Sequence, residues 1–257
     1  MDLKGHAALV TGSTKGVGRA IVEAYAEAGA DVVIHGRASG AESEEVLAKC
    51  RSFGVKAAFA AADLADPSGA DALVRETLRA MPHVDILVNN AGQFFDVPFE
   101  KMDAERFDRT MVLNVRSPYF LTQAFAKHWI GRNVAGRVLM NGSINGRLAE
   151  DGSTAYDTSK GALEMMVKTL AVALAPRNIR VNGLAPGLVR TPQTSWIDTR
   201  PAEAAWIAHH TPNGKIPGAD VCGPGAVYLV SDAAEHVHGQ MLLIDGGMSA
   251  WQHPPPR

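Results

Sequence analysis

Seven short aliphatic runs recur along the chain, and all but the last are followed by a longer segment of helical period. The runs are His6–Thr11, Asp31–His35, Lys56–Ala61, Asp85–Asn89, Arg137–Asn141, Ile179–Leu184 and Met241–Ile244. Their apolar positions are nearly continuous rather than alternating, as in strands covered on both faces. Between the first two, Val17, Ile21, Ala24, Tyr25 and Ala28 share one helical stripe, and Asp66-Pro67 predicts a helix start with proline in its first turn. Seven strands joined by six helical segments predict an α/β fold: a doubly wound parallel seven-stranded sheet with helices on both faces and right-handed crossovers. No repeat, low-complexity tract or linker divides the 257 residues, so one domain over 1–257 is expected. Residues 190–214 break the rhythm. They read as a long irregular segment with one predicted helix, Arg200–His209, and are assigned to substrate contact. The proline-rich end, 250–257, is expected to be a frayed tail.

Composition excludes several classes. With 46% hydrophobic residues and a net charge of −2, the chain is neither disordered nor equipped with the basic face that nucleic acid requires. A chain of this length buries roughly three quarters of its unfolded surface. Cys50 and Cys222 stand far apart without a C-x-x-C spacing, so neither a disulfide framework nor a zinc site is expected. No apolar run approaches a membrane span and no secretory h-region is visible, which leads to the expectation of a soluble cytoplasmic protein. Asn141-Gly142-Ser143 matches a glycosylation acceptor and carries no weight in that compartment. The 25 glycines exceed ordinary usage, and their positions matter more than their number.

The first run leads into Thr11-Gly12-Ser13-Thr14-Lys15-Gly16-Val17-Gly18 and then a helix. Glycines there let a backbone approach a pyrophosphate, which rests on the helix N-terminus. The spacing is T-G-x-x-x-G-x-G, with Ile21 where the G-x-G-x-x-G fingerprint has its third small residue. By itself the turn equally describes tight strand-to-helix geometry. The second run ends Ile34-His35-Gly36-Arg37, so Gly36 occupies the slot where NAD sites carry an acid for the ribose 2′-hydroxyl. Arg37 beside it and Lys15 in the first turn suit a 2′-phosphate, which favours NADP(H) with NAD as the alternative. Plain surface positions for both cations are the competing reading.

Ser143 follows the fifth run, and Tyr156 and Lys160 are four residues apart on a predicted helix beginning near Ser153, hence on one face. A cation about 5 Å from a phenol stabilises the phenolate by about 3 kcal/mol at an effective dielectric near 20, moving its pKa from about 10 toward about 7–8. A tyrosine so tuned is a general acid or base at neutral pH. An isolated Tyr-x-x-x-Lys also describes a half-buried tyrosine beside a solvated lysine.

The motifs occur in one order: the glycine turn, Asn89-Asn90-Ala91-Gly92 after the fourth run, Asn114, Ser143, Tyr156 and Lys160. Pro186-Gly187-Leu188-Val189-Arg190-Thr191 and Asp245-Gly246-Gly247 follow. The chain closely resembles the short, single-domain branch of the short-chain dehydrogenase/reductase family from Leu3 to about Met248. That resemblance implies a Rossmann-type sheet and hydride exchange between a nicotinamide and a secondary alcohol or ketone. It implies that Gly12, Gly16 and Gly18, with Ser13, Thr14, Lys15 and Val17 between them, cradle the cofactor phosphates. Asp63 would meet the adenine with Leu64 beside it, and Asn90, Ala91 and Gly92 would line the adenosine side. Pro186, Gly187, Val189 and Thr191 would hold the nicotinamide carboxamide. Tyr156 would be the general acid or base, Ser143 would polarise the carbonyl, and Lys160 would bind the nicotinamide ribose and depress the Tyr156 pKa. Asn114 would hold a water that continues the proton relay. A homotetramer assembled through the helices bearing Asn114 and Tyr156 and through the last strand is also implied.

Gln93-Phe94-Phe95 departs from the family's aliphatic preference after Asn-Asn-Ala-Gly, and His238 stands where threonine is common. Gln93, Ser143, Asn145, Arg147, Trp196, Trp206 and His209 are the candidate substrate contacts. These polar groups suit a sugar acid or polyol, whereas the aromatic ones suit an acyl chain, as in a 3-oxoacyl-thioester (acyl-carrier-protein) reductase. A nucleotide-binding regulator without turnover is the remaining alternative. It is disfavoured by the presence of all four of Asn114, Ser143, Tyr156 and Lys160. Neither His209-His210 nor His236-x-His238 has an evident third ligand, so no metal is expected.

Overall fold

A computed structural model describes residues 1–251. Its seven strands are β1 (Ala7–Val10), β2 (Asp31–Gly36), β3 (Ala57–Ala61), β4 (Ile86–Asn89), β5 (Gly136–Asn141), β6 (Ile179–Pro186) and β7 (Met241–Ile244). They form one parallel sheet in the order β3-β2-β1-β4-β5-β6-β7. Each predicted run coincides with a strand, to within two residues at either end.

The unbroken apolar runs are explained by the two cores. Ala8 and Val10, Val32 and Ile34, and Ile86 and Val88 face one layer, while Ala7, Leu9, Val33 and Leu87 face the other. Successive side chains alternate faces, and both faces are buried, so the apolar runs are nearly continuous. On the first face lie α1 (Gly16–Glu27), α2 (Ala41–Arg51) and α9 (Cys222–Val230), contributing Ile21, Val22, Tyr25, Val46 and Val227. On the second lie α3 (Gly69–Ala80), α5 (Ser117–Arg132) and α6 (Thr154–Leu174), with Leu73, Leu121, Phe125, Trp129, Leu163 and Val167. Trp129 is fully buried, and its indole N–H is satisfied by the Val84 carbonyl at 2.8 Å.

Two local expectations need correction. The helix expected at Asp66-Pro67 begins only at Gly69, because the Asp66 carboxylate accepts from the Ser68 N–H and hydroxyl and closes a separate turn. The supposedly irregular 190–214 segment is largely helical: a 3-10 turn at Pro192–Thr194, then α7 (Trp196–Thr199) and α8 (Pro201–His210). The expected frayed tail lies outside the described residues from 252 onward.

From β1 the chain winds outward to β2 and β3, then returns to the other side of β1 as β4. The crevice beyond the carboxyl ends of β1 and β4 is therefore a topological switch point, the place where open parallel sheets bind ligands. The glycine turn follows β1 and Asn89–Gly92 follows β4, so both open into it.

Candidate active site

Tyr156 and Lys160 occupy the first two turns of α6, and Ser143 lies just past β5. The segment between them is laced to the helix. Ser143 Oγ accepts from the Asn145 N–H at 3.1 Å, Asn145 Nδ2 donates to Asp157 Oδ1 at 2.9 Å, and Asp157 Oδ2 accepts from the Glu150 N–H at 2.9 Å. This network fixes the serine relative to the tyrosine. Lys160 is buried, donates to the Asn141 carbonyl at 2.8 Å, and holds Nζ 5.4 Å from the centroid of the Tyr156 ring.

Burial governs both titrations. It draws the Lys160 ammonium down to about 8 and pushes the Tyr156 phenol up to about 12. The Ser143 hydroxyl opposes the second shift, while the Asp157 and Glu150 carboxylates add to it. The phenol is therefore not lowered toward 7–8 by Lys160 as expected from the spacing. Loss of water around the phenolate is the largest influence on it.

Asn114 sits in a π-helical turn, Val112–Arg116, that joins α4 (Ala104–Met111) to α5. Its buried side chain accepts from the Gln93 N–H at 2.7 Å and donates to the Gln93 carbonyl and to Ser159 Oγ, both at 2.9 Å. Ser159 Oγ in turn donates to the Tyr156 carbonyl at 2.6 Å. The side chain thus clamps the loop after β4 to α6. Pro118, four residues on, has no N–H to donate.

The glycine turn fits a pyrophosphate. Gly12 has φ of +61° and Gly16 +58°, and a Cβ on Gly18 would lie 2.3 Å from Asn90 Nδ2 and 2.4 Å from the Gly12 carbonyl. No side chain caps the N-terminus of α1, so its first N–H groups are free for an anion. Asn90 braces the turn from β4, donating to the Thr11 and Gly12 carbonyls and accepting from Asn141 Nδ2. Arg37 and Lys15 are exposed and form no ion pair among the described residues.

The family model described as enoyl-(acyl carrier protein) reductase matches residues 12–249. Gluconate 5-dehydrogenase of Gluconobacter oxydans is 34% identical over 249 residues, 96% of each chain. L-rhamnose 1-dehydrogenase (NADP(+)) of Thermoplasma acidophilum is 32% identical over 248 residues, 96% of this chain and 98% of that one. A crystal structure of gluconate 5-dehydrogenase from Burkholderia cenocepacia, in complex with NADP and tartrate, superposes with a TM-score of 0.91 at 31% identity over 98% of each chain. The chain belongs to the short-chain dehydrogenase/reductase family.

Within this short-chain dehydrogenase/reductase, the remaining predicted residues divide. Thr191 overhangs the glycine turn, lying 3.6 Å from where a Gly16 Cβ would be, and Gly187 packs against Asp245. Ala91 and Gly92 lie in the same crevice, against Gly12 and Asn114 respectively. Val189 and Leu64 are buried and Asp63 is exposed. Ser13, expected among the phosphate contacts, is fully buried: its hydroxyl donates to the Val10 carbonyl and accepts from the His35 N–H. It shapes the turn from behind.

The Arg147 guanidinium is paired with Glu164 of α6 at 2.8 Å. Asn145 is engaged by Ser143 and Asp157, and His209 packs edge-on to His210, which stacks on Trp206. Trp196 and Trp206 wall a groove of about 460 Å³ with Ala202, Glu203 and Ile207. No group of three metal-ligating side chains occurs among the described residues.

One pocket residue escaped the sequence reading. Phe94 places its ring edge-on to Tyr156, centroids 5.1 Å apart at 89°. Its only sequence signal is the unusual aromatic pair after Gln93.

Proposed function

We propose that the chain is an NADP(H)-dependent oxidoreductase that interconverts a ketone and a secondary alcohol, with Tyr156 as general acid and base. The observation that carries this reading is the joint presence, at the end of β5 and the start of α6, of a desolvated phenol, a buried lysine and a fixed serine hydroxyl. A bound nicotinamide would supply or accept the hydride. Gly12, Gly16 and Gly18 would hold its pyrophosphate, Lys15 and Arg37 the 2′-phosphate, and Thr191 with Val189 the carboxamide end.

In reduction, the Ser143 hydroxyl donates to the substrate carbonyl oxygen and Tyr156 gives it the phenolic proton. Burial keeps the phenol protonated until the carbonyl oxygen takes its proton. Lys160, with its ammonium eased toward neutrality, replaces that proton. Asn114 would hold the water that continues the relay.

The substrate reading is a small polyhydroxylated molecule, a sugar acid or polyol. The charges favour the uncharged member. Arg147 is neutralised by Glu164, while the Asp157 and Glu150 carboxylates act on Tyr156. The Trp196–Trp206 groove is the feature that favours a 3-oxoacyl thioester instead. A homotetramer fits the apolar surface left on α5 and α6, where Tyr119, Phe120, Met165 and Val172 are exposed, and the open edge of β7; size-exclusion with light scattering tests it.

The deciding experiment is an NADPH-oxidation screen across ketoses, keto-acids, diketones and acetoacetyl thioesters. Turnover of ketoses above keto-acids and thioesters is expected, and preference for the thioester would replace the sugar reading. Absence of turnover with every carbonyl, in protein that binds NADPH, would overturn the enzymatic one.

A further inference from the structure

His35 ends the apolar part of β2 and is 3% exposed, an unusual place for an imidazole. Its neighbours in the turn after β1 explain it. The Thr11 N–H pairs with the Val88 carbonyl of β4, and the Ser13 N–H pairs with the His35 carbonyl. The Gly12 N–H between them is received by the side chain of His35, at 3.0 Å from Nδ1. On the far side of the ring, Nε2 lies 3.2 Å from the Ala62 carbonyl, just past β3. Because Nδ1 accepts from an N–H, the proton must reside on Nε2, which can then donate to Ala62. Burial opposes protonation and draws the ring down to about 4, so the neutral form prevails at physiological pH.

We infer that His35 is a positioning residue for the cofactor turn: its Nδ1 holds the Gly12 N–H and with it the left-handed conformation that opens the turn to a pyrophosphate. Three groups of this one residue grip the turn, since its N–H also donates to Ser13 Oγ at 3.0 Å. The next two residues are Gly36, where a Cβ would lie 3.1 Å from Thr14 Cγ2, and Arg37. His35 therefore sets the turn against the end of β2 that carries the cation assigned to the 2′-phosphate. The inference rests on the reading that this turn holds the pyrophosphate.

Two substitutions separate the two ring nitrogens. In His35→Asn a carboxamide oxygen can occupy the Nδ1 position and accept from Gly12. In His35→Gln the amide reaches toward the Nε2 position and serves Ala62 instead. Titration calorimetry with NADP+ and NAD+ is expected to show His35→Gln binding both about tenfold more weakly than wild type, and His35→Asn within about threefold of it. The ratio of the two affinities should stay unchanged, because the pyrophosphate is common to both cofactors.

Wild-type affinity in His35→Gln, or equal weakening in both variants, would overturn the inference. No binding of either cofactor by the wild type would overturn the reading of the turn itself. Should His35→Gln fail to fold, nitrogen-15 spectra of the wild type decide. Nδ1 must appear as an unprotonated acceptor, Nε2 as protonated, and the Nδ1 resonance must shift on saturation with NADP+. A proton on Nδ1, or no shift, rejects the role.

Discussion

Asn114 and Gln93 exchange two hydrogen bonds, one through each atom of the asparagine amide, at 2.7 and 2.9 Å. A side chain thereby does for the loop after β4 what a neighbouring strand does within the sheet. The next residue, Phe94, is the one set edge-on to Tyr156. Replacing Asn114 with alanine removes these bonds and the one to Ser159, leaving part-buried backbone groups unpaired. The expected cost is about 2–3 kcal/mol, a fall in Tm of about 4–10 °C by calorimetry. An unchanged Tm would show that the clamp does not stabilise the loop.

Tyr156→Phe is expected to keep NADPH affinity and to lose carbonyl reduction by orders of magnitude, because the variant differs only in the proton it cannot give. Fluorescence titration alongside steady-state kinetics measures both. Retention of kcat would remove Tyr156 from the mechanism.

Arg37 and Lys15 stand exposed without ion-pair partners among the described residues. Arg37→Ala is expected to lower kcat/KM with NADPH while sparing NADH, so the ratio of the two moves toward NADH. If the ratio stays put, Arg37 does not read the 2′-phosphate.

The Arg147–Glu164 pair predicts a near-silent substitution. Arg147→Ala should leave kcat/KM within about twofold, since the exposed pair is worth about 0–1 kcal/mol. A large rise in KM confined to anionic substrates would show that the arginine leaves Glu164 to bind them.

His35 also makes stability depend on pH. Its folded value is about 4, against an ordinary value of 6.5, so between those limits the unfolded chain takes up a proton that the folded chain refuses. Stability present above pH 6.5 is therefore lost as pH falls toward 4, by about 3 kcal/mol from this group. Urea titrations of wild type and His35→Asn across that window are expected to converge in slope with pH only above it. Parallel curves throughout would mean that His35 is not held neutral.

Much of the fold was legible in the chain because burial on both faces of a parallel sheet imposes an unmistakable apolar run at each strand. The glycine turn was legible for a related reason: Gly12 and Gly16 take positive φ, and Gly18 has no room for a Cβ. Helix starts were less so. The Asp66 turn is decided by one carboxylate choosing a local N–H over the helix.

The order of residues alone determined the strands, the crevice-forming turns and the co-helical Tyr156 and Lys160. These follow from periodicity and spacing, which are properties of the chain. Tertiary structure alone decided the direction of the Tyr156 shift, the pairing of Arg147 with Glu164, the approach of Phe94 to the phenol, and the grip of His35 on Gly12. Desolvation and the choice of hydrogen-bond partner depend on which groups meet across long stretches of sequence. Gly12 and His35 are 23 residues apart, and no local pattern records that they touch.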